Sequence, residues 1–441
     1  MDVTIDPSPV YGTITVPSSK SHTIRALLIA ACAPGVSHVG NVLDSDDARS
    51  CISAIRALGA SVEETARTST GVSLAVTPPP GGIHTTDQSI TIDVGNSGTT
   101  LYLLAAIAAL RSVPTRLDGD ASIRRRDASP LLEALRDLGA EVQGGPAAPF
   151  TVTGPLLSGR SVSLECPTSQ YLSALLLASP LIGSQNTGDT TSLIPTILYE
   201  RPYVDMTCWW LDQQRIGYDR EGYDRFVLPG GQTYAPVTAS LPGDYSSATF
   251  WFVAAAITGG SVTVQGLAPD DVQGDRDVLR ILKELGCRVY WHQEDGLYPS
   301  VTVKGTPQRG GTFDLNAMPD ALPALAVLGC YAPAPITLAN VPQARVKETD
   351  RIAVMAKELT ALGGDVRELP DGLEIRPGPL QGGTIASHGD HRVAMAGAVA
   401  ALGATGPVRI RNADAAAVTY PSFYDELHRL CGNAAPEETG V

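Results

Sequence analysis

The sequence predicts an α/β protein of two domains assembled from about six copies of one βαβ-rich unit, and three observations carry that expectation. First, an amphipathic helix ending in Leu-Gly and passing at once into a strand recurs in "ISAIRALGASV" around Gly59, "LLEALRDLGAEV" around Gly139, "RILKELGCRV" around Gly286 and "AKELTALGGDV" around Gly363, with weaker copies at Gly217 in "LDQQRIGYDR" and Gly432 in "ELHRLCG". Each glycine fits the left-handed position that closes a helix, and the landmarks fall roughly 70 to 80 residues apart. Second, the stretch at 228–247, "LPGGQTYAPVTASLPGDYSS", is rich in Pro, Gly and Ser and lacks helical periodicity, which marks it as a domain crossing with three units on either side. Third, 441 residues suffice for two or three domains with substantial cores.

Taken in order, the elements share a second theme. The N-terminal "MDVTIDPSPV" is acidic and strand-like. In "VPSSKSHTIRALLIAA", Pro17, Ser18 and Ser19 form a turn and an N-cap, and Ile24 to Ala31 continue as a buried helix. Lys20 and Arg25 are then either solvated charges at the helix entrance or, with the free amides there, half of an anion site. "GNSGTTLYLLAAIAAL" sets a glycine-flanked polar turn before an apolar helix, a turn able to offer backbone amides to an anion. "DASIRRRDASPLL" supplies Arg124, Arg125 and Arg126, and "CPTSQYLSALLLASPL" places Thr168, Ser169 and Gln170 ahead of another apolar helix. "DLNAMPDALPALAVL" adds Asp314, Asn316 and Asp320.

"RVKETDR" packs Arg345, Lys347, Glu348, Asp350 and Arg351 into seven residues. It reads as a salt-bridged turn or, if it opens the helix "IAVMAKELTAL", as a binding face with Lys347 and Arg351 four apart and Glu348 beside them. In "SHGDHRVAMAGAVAAL", Asp390, His391 and Arg392 precede one more small-residue helix. Convergence of these helix starts would line a cleft for a polyanionic ligand.

Bulk properties narrow the chemistry. A net charge of -14 speaks against a nucleic-acid polymer or a membrane surface as partner, so any anion is held by a local cluster of cations. No apolar run reaches the ~18 residues of a bilayer span. The strongest run, "LYLLAAIAAL", stops at Arg111. The N-terminus lacks a signal core and the 7 cysteines form no CxxC pair, which fits a reducing cytoplasm. There is no GxxxxGK[ST] loop, no GxGxxG after a strand, no nucleophile elbow and no cysteine array, and His388 with His391 lacks a third ligand, so neither a metal nor a cofactor is expected.

The ordered set "SKSHTIRALLIAA", "LDSDDARS", "GNSGTT", "GDASIRRR", "TSQYLSALLLASPL", "RPYVDMT", "PGDYSSATF", "DLNAMPDA", "RVKETDR" and "GDHRVAM" resembles the enolpyruvyl transferases of the 5-enolpyruvylshikimate-3-phosphate synthase type. The resemblance implies the two-domain enolpyruvyl transferase fold, six βαβαββ repeats with three per domain, and helix N-termini toward an interdomain cleft. It implies domains at 20–238, on the acceptor side, and at 1–19 with 239–441, carrying the catalytic carboxylates and the phosphoenolpyruvate side. The implied reaction moves the carboxyvinyl group of phosphoenolpyruvate to a hydroxyl of a phosphorylated acceptor and releases phosphate; the partners are these small molecules, and a cytoplasmic monomer is expected.

By the same resemblance Asp320 is the base near the acceptor hydroxyl, and Glu348 and Lys20 are the proton-transfer groups. Lys20, Asn96, Gly98, Arg126, Gln170, Arg351, His391 and Arg392 fall at phosphoenolpyruvate positions. Ser21, Arg25, Thr168, Ser169, Gln170, Glu200, Tyr203, Asp320, Gln343 and Lys347 fall at acceptor positions. Three departures stand out: Tyr102 replaces an arginine, Val418 replaces a phosphate-binding lysine, and Glu200 replaces a serine near the acceptor phosphate. A desolvated carboxylate beside a phosphate is costly. Glu200 is therefore expected either to point away, toward Arg201 or Arg225, or to face an acceptor group other than phosphate. On these substitutions a nucleotide acceptor such as UMP, modified at its 3'-hydroxyl in antibiotic biosynthesis, ranks ahead of 3-phosphoshikimate. A non-catalytic ligand-binding homologue is a further alternative.

Overall fold

The computed structural model describes residues 1–83, 88–183, 188–293 and 298–432. The chain divides into two compact units, one formed by Ser18–Pro242 and the other by Met1–Pro17 together with Gly243–Val441.

Within Ser18–Pro242 the described strands form three four-stranded sheets. One has the order Ile90–Asp93, Thr115–Asp118, Phe150–Thr153, Glu141–Gly144, with the first two parallel and the rest antiparallel. A second repeats this pattern with Ser161–Cys166, Thr190–Leu198, Arg225–Pro229 and Asp219–Glu221. The third begins with Thr238–Ser240, parallel to Ser37–Val42 and followed by Val72–Thr77 and Ser61–Arg67, so its opening strand comes from the far end of the unit's sequence. The parallel pairs of the first two sheets are bridged by helices Gly98–Ala108 and Ser169–Ala178, which are buried nearly all round. Helix Lys20–Cys32 is likewise buried. A helix buried on every face is stable only when neighbours cover it all round, and these three lie inside the unit.

The split unit follows the same plan. Its described strands make two four-stranded sheets, led by Tyr11–Thr15 beside Ser261–Gln265 and by Gly311–Asp314 beside Ile336–Ala339, and a three-stranded sheet, Gly383–Ala386, Val408–Arg411 and Val3–Ile5. Helices Tyr245–Thr258, Leu322–Tyr331 and His391–Gly403 fill its core.

The Leu-Gly junctions adopt the left-handed turn at Gly59, Gly139, Gly286 and Gly363, with φ of 98, 101, 97 and 87°. The two weaker copies do not. Arg215, with φ 56°, takes the left-handed position two residues before Gly217. Gly432 caps its helix at φ -81°.

Candidate active site

In Ser18–Pro242 the polar turns cap their helices as their composition dictates. Ser19, Ser97 and Thr168 accept hydrogen bonds from the amides of His22, Thr100 and Gln170. These helix starts are cross-linked: Gln170 Nε2 donates to Thr99 Oγ1 at 3.1 Å. Lys20 opens its helix with Nζ 3.2 Å from the buried Asp47 carboxylate.

Arg25, five residues on, is 1% exposed. Its Nε donates to Thr207 Oγ1 (2.9 Å), Nη1 to the Ser21 carbonyl (3.0 Å), and Nη2 to the Tyr203 carbonyl (3.1 Å) and Ser173 Oγ (3.3 Å). Burial pulls its pKa down to about 10. Arg25 therefore braces three helices, and Ser21 and Tyr203 contribute carbonyls to that brace.

Arg126 follows the short turn Ile123–Arg125 and reaches the start of helix Gly98–Ala108. Its Nη2 donates to Ser122 Oγ at 3.1 Å and to Asn96 Oδ1 at 3.5 Å, and Asn96 Nδ2 donates to Asp120 at 2.6 Å. A Cβ on Gly98 would lie 2.4 Å from Arg126 Nη1, so glycine leaves the guanidinium its present place and any side chain would push it back. Tyr102, in place of the family arginine, packs edge-on against Tyr171 with ring centroids 5.0 Å apart. Both hydroxyls donate to the Asp127 carbonyl, just past Arg126.

Glu200 answers the question its substitution raised. It does not turn toward Arg201 or Arg225. The carboxylate is 2% exposed, and its Oε2 accepts from Ser169 Oγ (2.9 Å), the Ser169 amide (3.2 Å) and Thr168 Oγ1 (3.2 Å).

In the split unit a second cluster forms where three helices start. Arg351, 1% exposed, donates from Nε to Asp390 (2.8 Å), from Nη1 to Asp320 (2.6 Å) and from Nη2 to Glu348 (2.6 Å). Arg392 Nη2 meets the other Asp320 oxygen at 2.9 Å. Asp390, fully buried, also caps its own helix by accepting from the Arg392 amide at 2.9 Å. Burial opposes charge on Arg351, but the three carboxylates more than offset it and hold the guanidinium well above its ordinary pKa. Burial likewise opposes ionisation of Asp390, and Arg351 overcomes it, leaving that carboxyl below its usual range.

His391 is buried at the first position of the same helix. Gln343 donates to the Asn316 carbonyl at 3.0 Å. Lys347 and Arg351 do not share a helix face; the turn, the first of the two arrangements that the sequence allows, is the one formed. The helix begins only at Arg351, capped by Asp350, and Lys347 lies in the preceding turn, so Glu348 becomes the nearer partner. Val418 ends a short turn, Ala413–Val418, half-buried.

Sequence reasoning left Asp47 and Asp390 without roles, although both stand inside the quoted motifs; the signal was an acid beside a cation that has to be buried. Among the described residues no three His, Cys, Asp or Glu side chains gather as metal ligands, and no helix is long and apolar enough to cross a membrane. Each cluster combines guanidinium groups, helix-start amides and carboxylates, the kinds of group from which sites for anions are built.

The profile of EPSP synthase (3-phosphoshikimate 1-carboxyvinyltransferase) matches residues 5–427. A 3-phosphoshikimate 1-carboxyvinyltransferase of Acetivibrio thermocellus is 44% identical over 428 residues, 96% of this chain and 97% of the relative. One from Methanothrix thermoacetophila is 42% identical over 98% of this chain and 99% of its own length. Among solved structures, EPSP synthase from Acinetobacter baumannii superposes with a TM-score of 0.80 at 28% identity, covering 97% of this chain and 98% of that one. The chain therefore belongs to the EPSP synthase family and is an enolpyruvyl transferase.

Proposed function

We propose that the protein transfers the carboxyvinyl group of phosphoenolpyruvate to a hydroxyl of 3-phosphoshikimate. One observation carries the acceptor: relatives 44% and 40% identical over 96% and 98% of the chain bear that enzyme's name. This reverses the ranking of UMP ahead of 3-phosphoshikimate. Glu200, one of the three substitutions behind that ranking, lies on Thr168 and Ser169 and has to yield before a phosphate can use them.

The chemistry requires the acceptor oxygen to bond to the central carbon of phosphoenolpyruvate while a proton reaches its methylene carbon. The new methyl group then returns a proton as phosphate leaves, restoring the double bond. In this reading Asp320 takes the acceptor proton, and Glu348 and Lys20 handle the carbon-bound proton. Arg126, Arg351, Arg392 and Gln170, with Asn96, Gly98 and His391, hold phosphoenolpyruvate. Thr168 and Ser169 receive the acceptor phosphate, with Ser21, Arg25, Tyr203, Gln343 and Lys347 around the acceptor. Arg25 acts there chiefly by fixing the helices that bear the others, since its nitrogens are occupied.

The test is phosphate release from phosphoenolpyruvate with 3-phosphoshikimate or UMP as acceptor. Turnover is expected with 3-phosphoshikimate alone; turnover of UMP and none of 3-phosphoshikimate overturns the proposal. Glu348→Gln should lower kcat by about a hundredfold with acceptor affinity kept within about threefold.

A further inference from the structure

We propose that Glu200 is a built-in anion seated in the acceptor's phosphate subsite, so that acceptor binding is an exchange of one anion for another and Glu200 sets the preference for phosphorylated acceptors. This inference rests on the reading that Thr168 and Ser169 receive the acceptor phosphate.

The start of helix Ser169–Ala178 directs a backbone amide and two hydroxyls at a single point, an arrangement suited to an oxyanion. Glu200 Oε2 already occupies it, collecting three hydrogen bonds of 2.9 to 3.2 Å. The side chain reaches that point because Glu200 adopts a left-handed backbone, φ 58° and ψ 41°, just ahead of helix Arg201–Gln213. For a residue with a Cβ that conformation is strained, so the surroundings hold it in place. Arg201 stacks 4.8 Å from the Tyr223 ring centre, and Arg225 Nε donates to Ser192 Oγ at 2.9 Å.

Three donors converging on one oxygen cannot serve a phosphate at the same time, and two anions held there together would repel strongly in so dry a place. The acceptor phosphate must expel the carboxylate. A dianion with several acceptor oxygens regains more than the carboxylate gave up. A hydroxyl in its place does not, so an unphosphorylated analogue is rejected. Removing the charge of Glu200 should therefore tighten phosphorylated acceptors while narrowing the discrimination against unphosphorylated ones.

The experiment compares wild type with Glu200→Gln and Glu200→Ser. Binding is followed through the fluorescence of Trp209 and Trp210, which lie on the helix that Glu200 precedes. Probes are 3-phosphoshikimate, shikimate and inorganic sulfate. In each variant 3-phosphoshikimate and sulfate should bind about tenfold more tightly, with KM for phosphoenolpyruvate within about twofold of wild type. A residue that merely supports the fold would, when replaced, weaken binding or leave it unchanged, and either result in a folded variant overturns the inference. The serine variant serves if the glutamine variant does not fold. Should neither fold, wild type decides alone, since sulfate binding as tight as that of 3-phosphoshikimate would mean the subsite stands open and the inference fails. Wild-type turnover of 3-phosphoshikimate is measured alongside: its absence defeats the functional reading, whereas its presence without the tightening defeats only the role of Glu200.

Discussion

Gly98→Ala should separate stability from phosphoenolpyruvate binding, with the two moving independently. The added Cβ would sit 2.4 Å from Arg126 Nη1, against 3.6 Å from its Cζ and 3.8 Å from Tyr102 Cε2. Non-bonded heavy atoms settle at about 3.5 Å, so the guanidinium end must retreat by about 1 Å. Arg126 Nη1 is the far end of a long, flexible side chain, so the retreat is a shift of its torsions and costs the fold about 1 kcal/mol. Alanine's advantage over glycine in a helix, roughly 0.5–1 kcal/mol, offsets much of that. Tm should stay within about 2 °C of wild type. A charge-assisted hydrogen bond to the substrate, worth about 1.5–3 kcal/mol, would be lost or lengthened, raising KM for phosphoenolpyruvate by about 10- to 100-fold. KM for the acceptor should change little. Calorimetry and steady-state kinetics with each substrate varied provide the readouts. An unchanged KM for phosphoenolpyruvate would refute the placement of Arg126, and a Tm loss above about 5 °C would refute the claim that only a side-chain tip has to move.

Three further outcomes follow from the same geometry. Asp390→Asn leaves Arg351 short of its most deeply buried counter-charge and should cost about 3–5 kcal/mol in urea unfolding. Because the folded Asp390 carboxyl lies below its ordinary pKa, its stabilisation is complete above the usual carboxylate range and disappears as pH falls through the folded value; wild type should therefore lose more stability than the variant between pH 7 and pH 3. Asp47→Asn, which removes the counter-charge 3.2 Å from Lys20, should lower kcat about tenfold with acceptor affinity retained, and an unchanged kcat would argue against Lys20 acting at the reacting atoms. Arg25→Lys cannot reproduce bonds to Thr207, Ser21, Tyr203 and Ser173 at once, so thermal unfolding should fall by several degrees.

The repeat was legible because a helix that must turn at once into a strand needs a left-handed residue, and glycine at 59, 139, 286 and 363 supplies it cheaply. Where Arg215 takes that conformation instead, the sequence pointed two residues too far along. The first cap was legible for a similar reason, since Ser19 precedes an apolar run whose first amides need an acceptor; Ser97, Thr168 and Asp390 cap their helices in the same way, although the sequence marked them only as parts of polar turns. What stayed hidden depends on contacts between distant segments. That Thr238–Ser240 pairs with Ser37–Val42, about 200 residues earlier, has no local signature. Arg25 looked like a ligand-binding cation because its partners, Ser173 and Thr207, are ordinary polar residues on helices far along the chain. Glu200 looked out of place beside a phosphate site because a sequence does not reveal which way a left-handed residue swings its side chain.

The carboxylates around Arg351 divide by exposure, and that division bears on mechanism. Asp390 is fully buried, is committed to a helix cap and has no room to leave. Asp320 and Glu348 retain 21% and 12% exposure, so they can be displaced from the guanidinium without breaking the helix starts. A buried guanidinium is costly unless it is paired, and these two carboxylates add to the charge that Asp390 supplies. On the proposed reading, the carboxylate or phosphate of phosphoenolpyruvate takes over the Arg351 Nη positions. Glu348 then loses Arg351, and Asp320 keeps Arg392 but loses Arg351, so each becomes a better proton acceptor as the substrate arrives. The residues assigned to proton transfer are the exchangeable ones, and the fixed one is not among them. Binding and activation are thereby one event. Asp320→Asn and Glu348→Gln should each bind phosphoenolpyruvate at least as tightly as wild type while losing turnover, because an amide competes less well for Arg351. Weaker phosphoenolpyruvate binding in both would show that the carboxylates help to hold the substrate instead of yielding to it.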